Sequence, residues 1–182
     1  GWVEGKGWGA RGSIYPGGYE YETGSTTIDA DFMGGQAELA YRFGSGPTWG
    51  SVGAGYRYVD TDLSPADPGN PRDGGQGEMI VSLDGGHVSG PWRVDWYGSY
   101  GFRPDDYDAL VSLTHTVGTS DRVRAGLEVA ADGDSNYSAY HIGPVIGVKL
   151  GDRAEFQISA GLSDGDDRGS DGYVRVGFYR SF

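Results

Sequence analysis

The chain of 182 residues carries no cysteine, which suits one domain over residues 1–182 and excludes a disulfide framework or a cysteine-ligated metal. Its net charge of −12, from 26 acidic against 14 basic residues, excludes nucleic acid as a partner, because phosphate binding needs clustered Lys and Arg. No run approaches the roughly 18 apolar residues of a membrane helix, and the opening GWVEGKGWGA does not read as a signal peptide; a barrel stays open, since its strands need only about 9–11 alternating residues.

Alternation of period two, the mark of a strand, recurs in ten runs along the chain. Trp8, Ala10 and Ile14 oppose Arg11 and Ser13. In FMGGQAELAYRF, Met33, Ala37, Leu39, Tyr41 and Phe43 oppose Gln36, Glu38 and Arg42. Val52, Ala54, Tyr56 and Tyr58 then face away from Ser51 and Arg57, and Met79, Val81 and Leu83 from Glu78, Ser82 and Asp84. WRVDWYGSYGF is the cleanest run, with Trp92, Val94, Trp96, Tyr100 and Phe102 against Arg93, Asp95, Tyr97 and Ser99. Ala109, Val111 and Leu113 oppose Asp108, Ser112 and Thr114; Val123, Ala125, Leu127 and Val129 oppose Arg124 and Glu128. Tyr140, Ile142, Ile146 and Val148 oppose His141 and Lys149, and Ala154, Phe156, Ile158 and Leu162 oppose Arg153, Glu155, Gln157 and Ser159. The last run, GYVRVGFYRSF, sets Val174, Val176, Phe178 and Phe182 against Arg175, Gly177, Tyr179 and Ser181. No segment reads as a helix.

The second face decides the architecture. A soluble sandwich or Greek-key domain turns its polar faces to water, where clustered glycine has no purpose. Here Arg11, Arg57, Arg93, Arg124, Arg153 and Arg175 alternate with Glu38, Glu78, Asp95, Glu128 and Glu155, and glycines such as Gly53, Gly101 and Gly147 separate them. Opposite charges spaced by residues without side chains fit a crowded barrel interior. We therefore expect an all-β, antiparallel up-and-down transmembrane β-barrel with an internal charge network.

The connections alternate in length, as outer-membrane barrels require: long at 16–27, short at 44–48, long at 60–77, short at 86–91, then 103–106, 118–121, 131–136, 151–152 and a long 163–171. Both ends then fall on the short-turn side, and Phe182 is similar to the terminal aromatic of such barrels. Trp92, Tyr41 and Phe43 near short turns, and Tyr58, Phe102, Tyr107 and Tyr140 near long loops, are expected in two interfacial girdles. The expected surroundings are outer-membrane lipid and lipopolysaccharide.

Three groups of residues could carry function beyond the charge network. His141, with inward Ser112, is the one site for a lipid A hydrolase, but no G-x-S-x-G or other nucleophile signature accompanies it; His87 sits in a short turn and His115 on the outer face. The acidic loops ADGDSN and SDGDDRGSDG offer Asp132, Asp134, Asp164, Asp166, Asp167 and Asp171 as calcium candidates, without the closing Glu of an EF-hand, so no metal or other cofactor is assigned. In IYPGGYEYETG, Tyr15, Tyr19 and Tyr21 lie among Glu20 and Glu22, a pairing of rings and carboxylates suited to sugars.

The stretch TDLSPADPGNPRDG, Thr61 to Gly74, resembles a loop of the BcsS family of cellulose biosynthesis proteins. GWGARGSIYPGGYEYETG and LSDGDDRGSDGYVRVGFYRSF are similar to that family's early strand and to its last loop with closing strand. The resemblance implies a Gram-negative outer-membrane β-barrel linked to cellulose production, with cellulose or secretion proteins as partners, no enzymatic activity and no catalytic residues to carry over. It also implies a further hairpin ahead of the first run; with that hairpin the barrel has twelve strands, and without it ten. Ten or twelve strands filled with charge leave no wide glucan pore; a non-enzymatic accessory role in cellulose or exopolysaccharide production leads, with a narrow solute channel and a lipid A hydrolase as alternatives.

Overall fold

The computed structural model describes residues 6–70, 72–103, 105–135, 137–151, 154–166 and 169–180. Ten antiparallel strands follow one another: β1 (Gly7–Thr23), β2 (Thr26–Ser45), β3 (Thr48–Ser64), β4 (Gly74–Ser89), β5 (Trp92–Gly101), β6 (Tyr107–Thr116), β7 (Val123–Gly133), β8 (Ser138–Lys149), β9 (Ala154–Gly165) and β10 (Gly169–Arg180). Each pairs with its neighbours in sequence, in the order β1 to β10, and no helix occurs among the described residues. That order contains no Greek-key crossover. The sheet curls into a half-barrel, an up-and-down arrangement consistent with a β-barrel.

The curl is turned inside out relative to a soluble domain. Its outer face carries the apolar side chains, with Ile14 at 81% and Val174 at 71% exposure. Its concave face carries polar ones, with Ser51 at 0% and Glu128 at 2%. Glycine makes room for them: a Cβ on Gly53 would meet Ser82 Oγ, Glu38 Oε2 and Arg11 Nη2 at 2.7–2.9 Å.

Strand lengths correct the expected loops. The segment 16–27 is not a long loop, because β1 and β2 stay paired to Thr23↔Thr26 and turn through Gly24 and Ser25, with Gly24 in the left-handed region at φ 65°. Likewise β3 runs to Ser64 and β4 starts at Gly74, which shortens the 60–77 connection to 65–73. β9 and β10 extend to Gly165 and from Gly169, which shortens 163–171 in the same way.

The alternation persists through these extensions, but its polarity inverts. Along β3, Val52, Ala54, Tyr56 and Tyr58 point outward and Arg57 inward; past that level Asp60 and Asp62 point outward and Thr61 and Leu63 inward. The same exchange occurs on β1 and β2, where Glu20, Glu22, Asp29 and Asp31 are exposed while Ile28 and Ala30 are buried. Acidic residues take over the outer face where the apolar ones stop.

Candidate functional site

The inward residues of the lower strands form two ion networks. In the first, Arg11 on β1 pairs with Glu38 on β2 at 2.9 Å and with Asp84 on β4, and also donates to Ser82. Ser51 completes it through Asp84 at 2.5 Å. In the second, Arg93 holds Asp95 at 2.6 Å, and Arg124 reaches Asp95 at 3.6 Å and also Glu155; beside it a separate pair joins Arg175 to Glu128 at 3.3 Å. Ser159 donates to Glu128 at 2.8 Å. These contacts tie β1 to β4 and β10 to β7 across the concave face. Of the charges the sequence assigned to the lumen, Arg153 lies outside the described residues.

Arg57 and Glu78 stand higher, at the level where the polarity inverts. Arg57 Nε donates to Glu78 at 2.8 Å, and its Nη2 reaches Asp106 in the β5–β6 connection. Together they floor a chamber of about 200 Å³. Its aromatic wall comes from β1 and β2: Tyr15 and Tyr19 each lie 6.5 Å from Phe32 between ring centroids. Val59, Thr61 and Gln76 line the side formed by β3 and β4, and Arg72 and Arg103 reach in from two connections. The three tyrosines thus face inward, whereas Glu20 and Glu22 face the opposite way. Alternation forbids the ring-and-carboxylate pairing expected from their closeness in sequence. A carboxylate reaches Tyr21 from elsewhere in the chain instead, from Asp67.

Tyr21 stands above the chamber and anchors the 65–73 connection. Its hydroxyl donates to Asp67 Oδ2 at 3.0 Å and accepts from Asn70 Nδ2 at 2.8 Å. Burial pushes this phenol above its ordinary range; the Asn70 hydrogen bond opposes the shift and the Asp67 carboxylate adds to it. At the far end of the same connection Arg72 pairs with Asp134 beyond β7. The connection is therefore a strap from the tip of β1 to the far side of the curl. At the short-turn end the Lys149 ammonium, 2.7 Å from Asp121, holds that carboxyl below its usual range.

The remaining candidates are scattered. His141 Nε2 lies 2.5 Å from Asp132, and its ring packs on Tyr173 at 5.2 Å. Ser112 sits in another register row, opposite Asp95 and Glu128, and no hydrogen bond joins it to His141 among the described residues. His115 packs on Trp92 at 4.7 Å, and His87 meets Thr48 Oγ1 at 2.7 Å. Of the acidic loop residues, Asp134 is held by Arg72, Asp166 by Ser138, Asp164 by Ser170 at 3.3 Å and Asp171 by the Gly172 amide at 2.7 Å. Asp167 lies outside the described residues, and no three metal-ligating side chains converge among those described.

The sequence left Phe32, Arg72, Arg103 and Asp106 unassigned and set Asp84 on the polar face of its strand without counting it in the charge network. Parity alone marks Asp84 as inward; the others gather only once strand register and the connections are in place.

An inside-out up-and-down sheet with ion pairs in its hollow and an aromatic chamber at one end defines a barrel-like protein of the non-globular-core kind. The chain belongs to the cellulose biosynthesis protein BcsS family, whose model matches residues 1–182, the whole chain. This membership gives it a role in cellulose production. No curated protein and no solved structure shows a match to it.

Proposed function

We propose that the protein is a non-enzymatic outer-membrane β-barrel that assists cellulose or exopolysaccharide secretion by holding a glycan at its outer mouth. The observation that carries this reading is the inversion of polarity along β1–β3. A soluble sheet has water along its whole outer face and no reason to change sign; one that leaves lipid for water must. The outward apolar run from Met33 to Phe43 is about 33 Å of strand at 3.3 Å per residue. Tilted by about 40°, it covers roughly 25 Å, the height of the apolar band on outer-membrane barrels. Lipid and lipopolysaccharide are the matching surroundings, with the acidic extensions on the water side.

Hydrocarbon tolerates no open sheet edge, so the bilayer reading requires the free sides of β1 and β10 to be paired. One additional hairpin would close the curl as a twelve-stranded barrel; direct pairing of β1 with β10 would close it at ten. The absence of cysteine makes the distinction accessible, because paired cysteines scanned along β1 and β10 form disulfides only if those strands adjoin.

The ion networks favour the accessory role over the narrow channel. Heat-modifiable mobility after detergent extraction from outer membranes, with no steady conductance in planar bilayers, is the expected result. Conductance would favour the solute channel, with Arg57, Arg93, Glu38 and Glu128 setting its selectivity. A water-soluble protein without a mobility shift would end the barrel reading. The chamber, with Tyr15 and Tyr19 in its wall and Tyr21 above it, is the proposed glycan contact.

A further inference from the structure

We infer that the chamber selects a glycan residue bearing an anionic substituent, a carboxylate or a phosphate, which Arg103 grips while the sugar ring lies against Tyr15, Tyr19 and Phe32. The inference rests on the glycan reading above and adds the charge of the ligand.

The charges around the chamber are paired at two guanidinium groups and unpaired at the third among the described residues. Three guanidinium groups border the chamber, and two are occupied: Arg57 by Glu78 and Asp106, and Arg72 by Asp134. Both chamber carboxylates are thereby used. Arg103 differs. Its backbone N–H donates to Glu78 Oε2 at 3.2 Å, which fixes the residue's base on the chamber floor, while its guanidinium has no ion pair among the described residues. One guanidinium without an ion-pair partner among the described residues thus lines the chamber of a strongly acidic protein of net charge −12.

A guanidinium presents a planar fork of donors that fits the two oxygens of a carboxylate or phosphate. The aromatic wall beside it offers a flat apolar face. A space of about 200 Å³ lies below the roughly 300 Å³ at which drug-sized pockets begin, so it suits one ring and its substituent rather than a length of chain. The floor sets one guanidinium, Arg57, against two carboxylates, Glu78 and Asp106, so it carries a net negative charge and turns an anionic substituent away from itself and toward Arg103.

The test is calorimetric titration of the full chain in lipid nanodiscs with three probes: neutral cello-oligosaccharide, the same oligosaccharide oxidised to a C6 carboxylate, and its C6 phosphate ester. Either anionic probe is expected to bind about tenfold tighter than the neutral one at low salt, and this preference is expected to vanish in Arg103→Gln. The carboxylate and phosphate arms distinguish an acidic exopolysaccharide from a phosphorylated lipopolysaccharide sugar as the source. Arg103 is exposed, so its replacement leaves folding intact. Equal binding of neutral and anionic probes overturns the inference and leaves the glycan reading standing. Binding by none of them overturns both. A preference that survives Arg103→Gln, or inorganic phosphate binding as tightly as the sugar phosphate, also overturns it.

Discussion

The lower and upper halves of β1–β3 use the same period, the same ladder and opposite chemistry. In the lower half Leu39 and Val52 point outward and Glu38 and Ser51 are buried; in the upper half Asp31 and Asp62 point outward and Ile28 and Ala30 are buried. Backbone pairing is continuous across the change, from Gly7↔Arg42 to Thr23↔Thr26. A strand is therefore defined by its hydrogen bonds, and the polarity of each face reports what lies against it. On the bilayer reading proposed above, lipid lies against the outside of the lower half and water against the acidic outside of the upper half.

Unbalancing the lower interior has the largest expected effect. Glu38→Ala removes the more buried of Arg11's two carboxylate partners and leaves Asp84, so it is expected to cost about 3 kcal/mol, the low end for a broken buried pair, read by urea unfolding from lipid vesicles. A loss under about 1 kcal/mol, the range of solvent-exposed pairs, would mean that water fills the hollow and the networks do not plug it. Next in size is the outer face. Leu39→Arg, in the middle of the apolar band, is expected to cost about 2–4 kcal/mol in vesicles, whereas Asp31→Arg on the same strand costs about 0–1. Equal costs at the two positions would erase the boundary between the halves.

The lower half was legible in the sequence because its alternation matched an expected direction, apolar outward, at residue after residue. Among the charges placed inward from parity, Arg11 meets Glu38 and Arg57 meets Glu78 on the concave face. The upper half was read as loops for a physical reason. GGYEYETGSTTIDA has no apolar outer face, and its glycines and acids mimic turn composition, although Tyr19 and Tyr21 still alternate with Glu20 and Glu22. The chamber was less legible still. Tyr15, Val59 and Gln76 come together because register places Tyr15 opposite Gly34, Gly34 opposite Val59 and Val59 opposite Gln76, while Arg72 and Arg103 arrive from connections that periodicity does not describe.

The smallest effect sharpens the comparison at its upper limit, where the strap crosses the mouth. Tyr21→Phe keeps the ring on the inner face of β1 and removes only the oxygen that binds Asp67 and Asn70. Loss of those hydrogen bonds is worth about 1 kcal/mol. Because the lower networks are untouched, global unfolding should hardly move, and the loss should surface as faster protease cleavage within 65–73. Arg72→Gln frees the other end by removing the pair with Asp134 and should do the same. If the strap is held at both ends, the double variant is cleaved faster than the two single effects multiplied, since either anchor alone still restrains the segment. Effects that merely multiply would mean that the anchors act independently and that the 65–73 connection lies over the chamber without spanning it as one element.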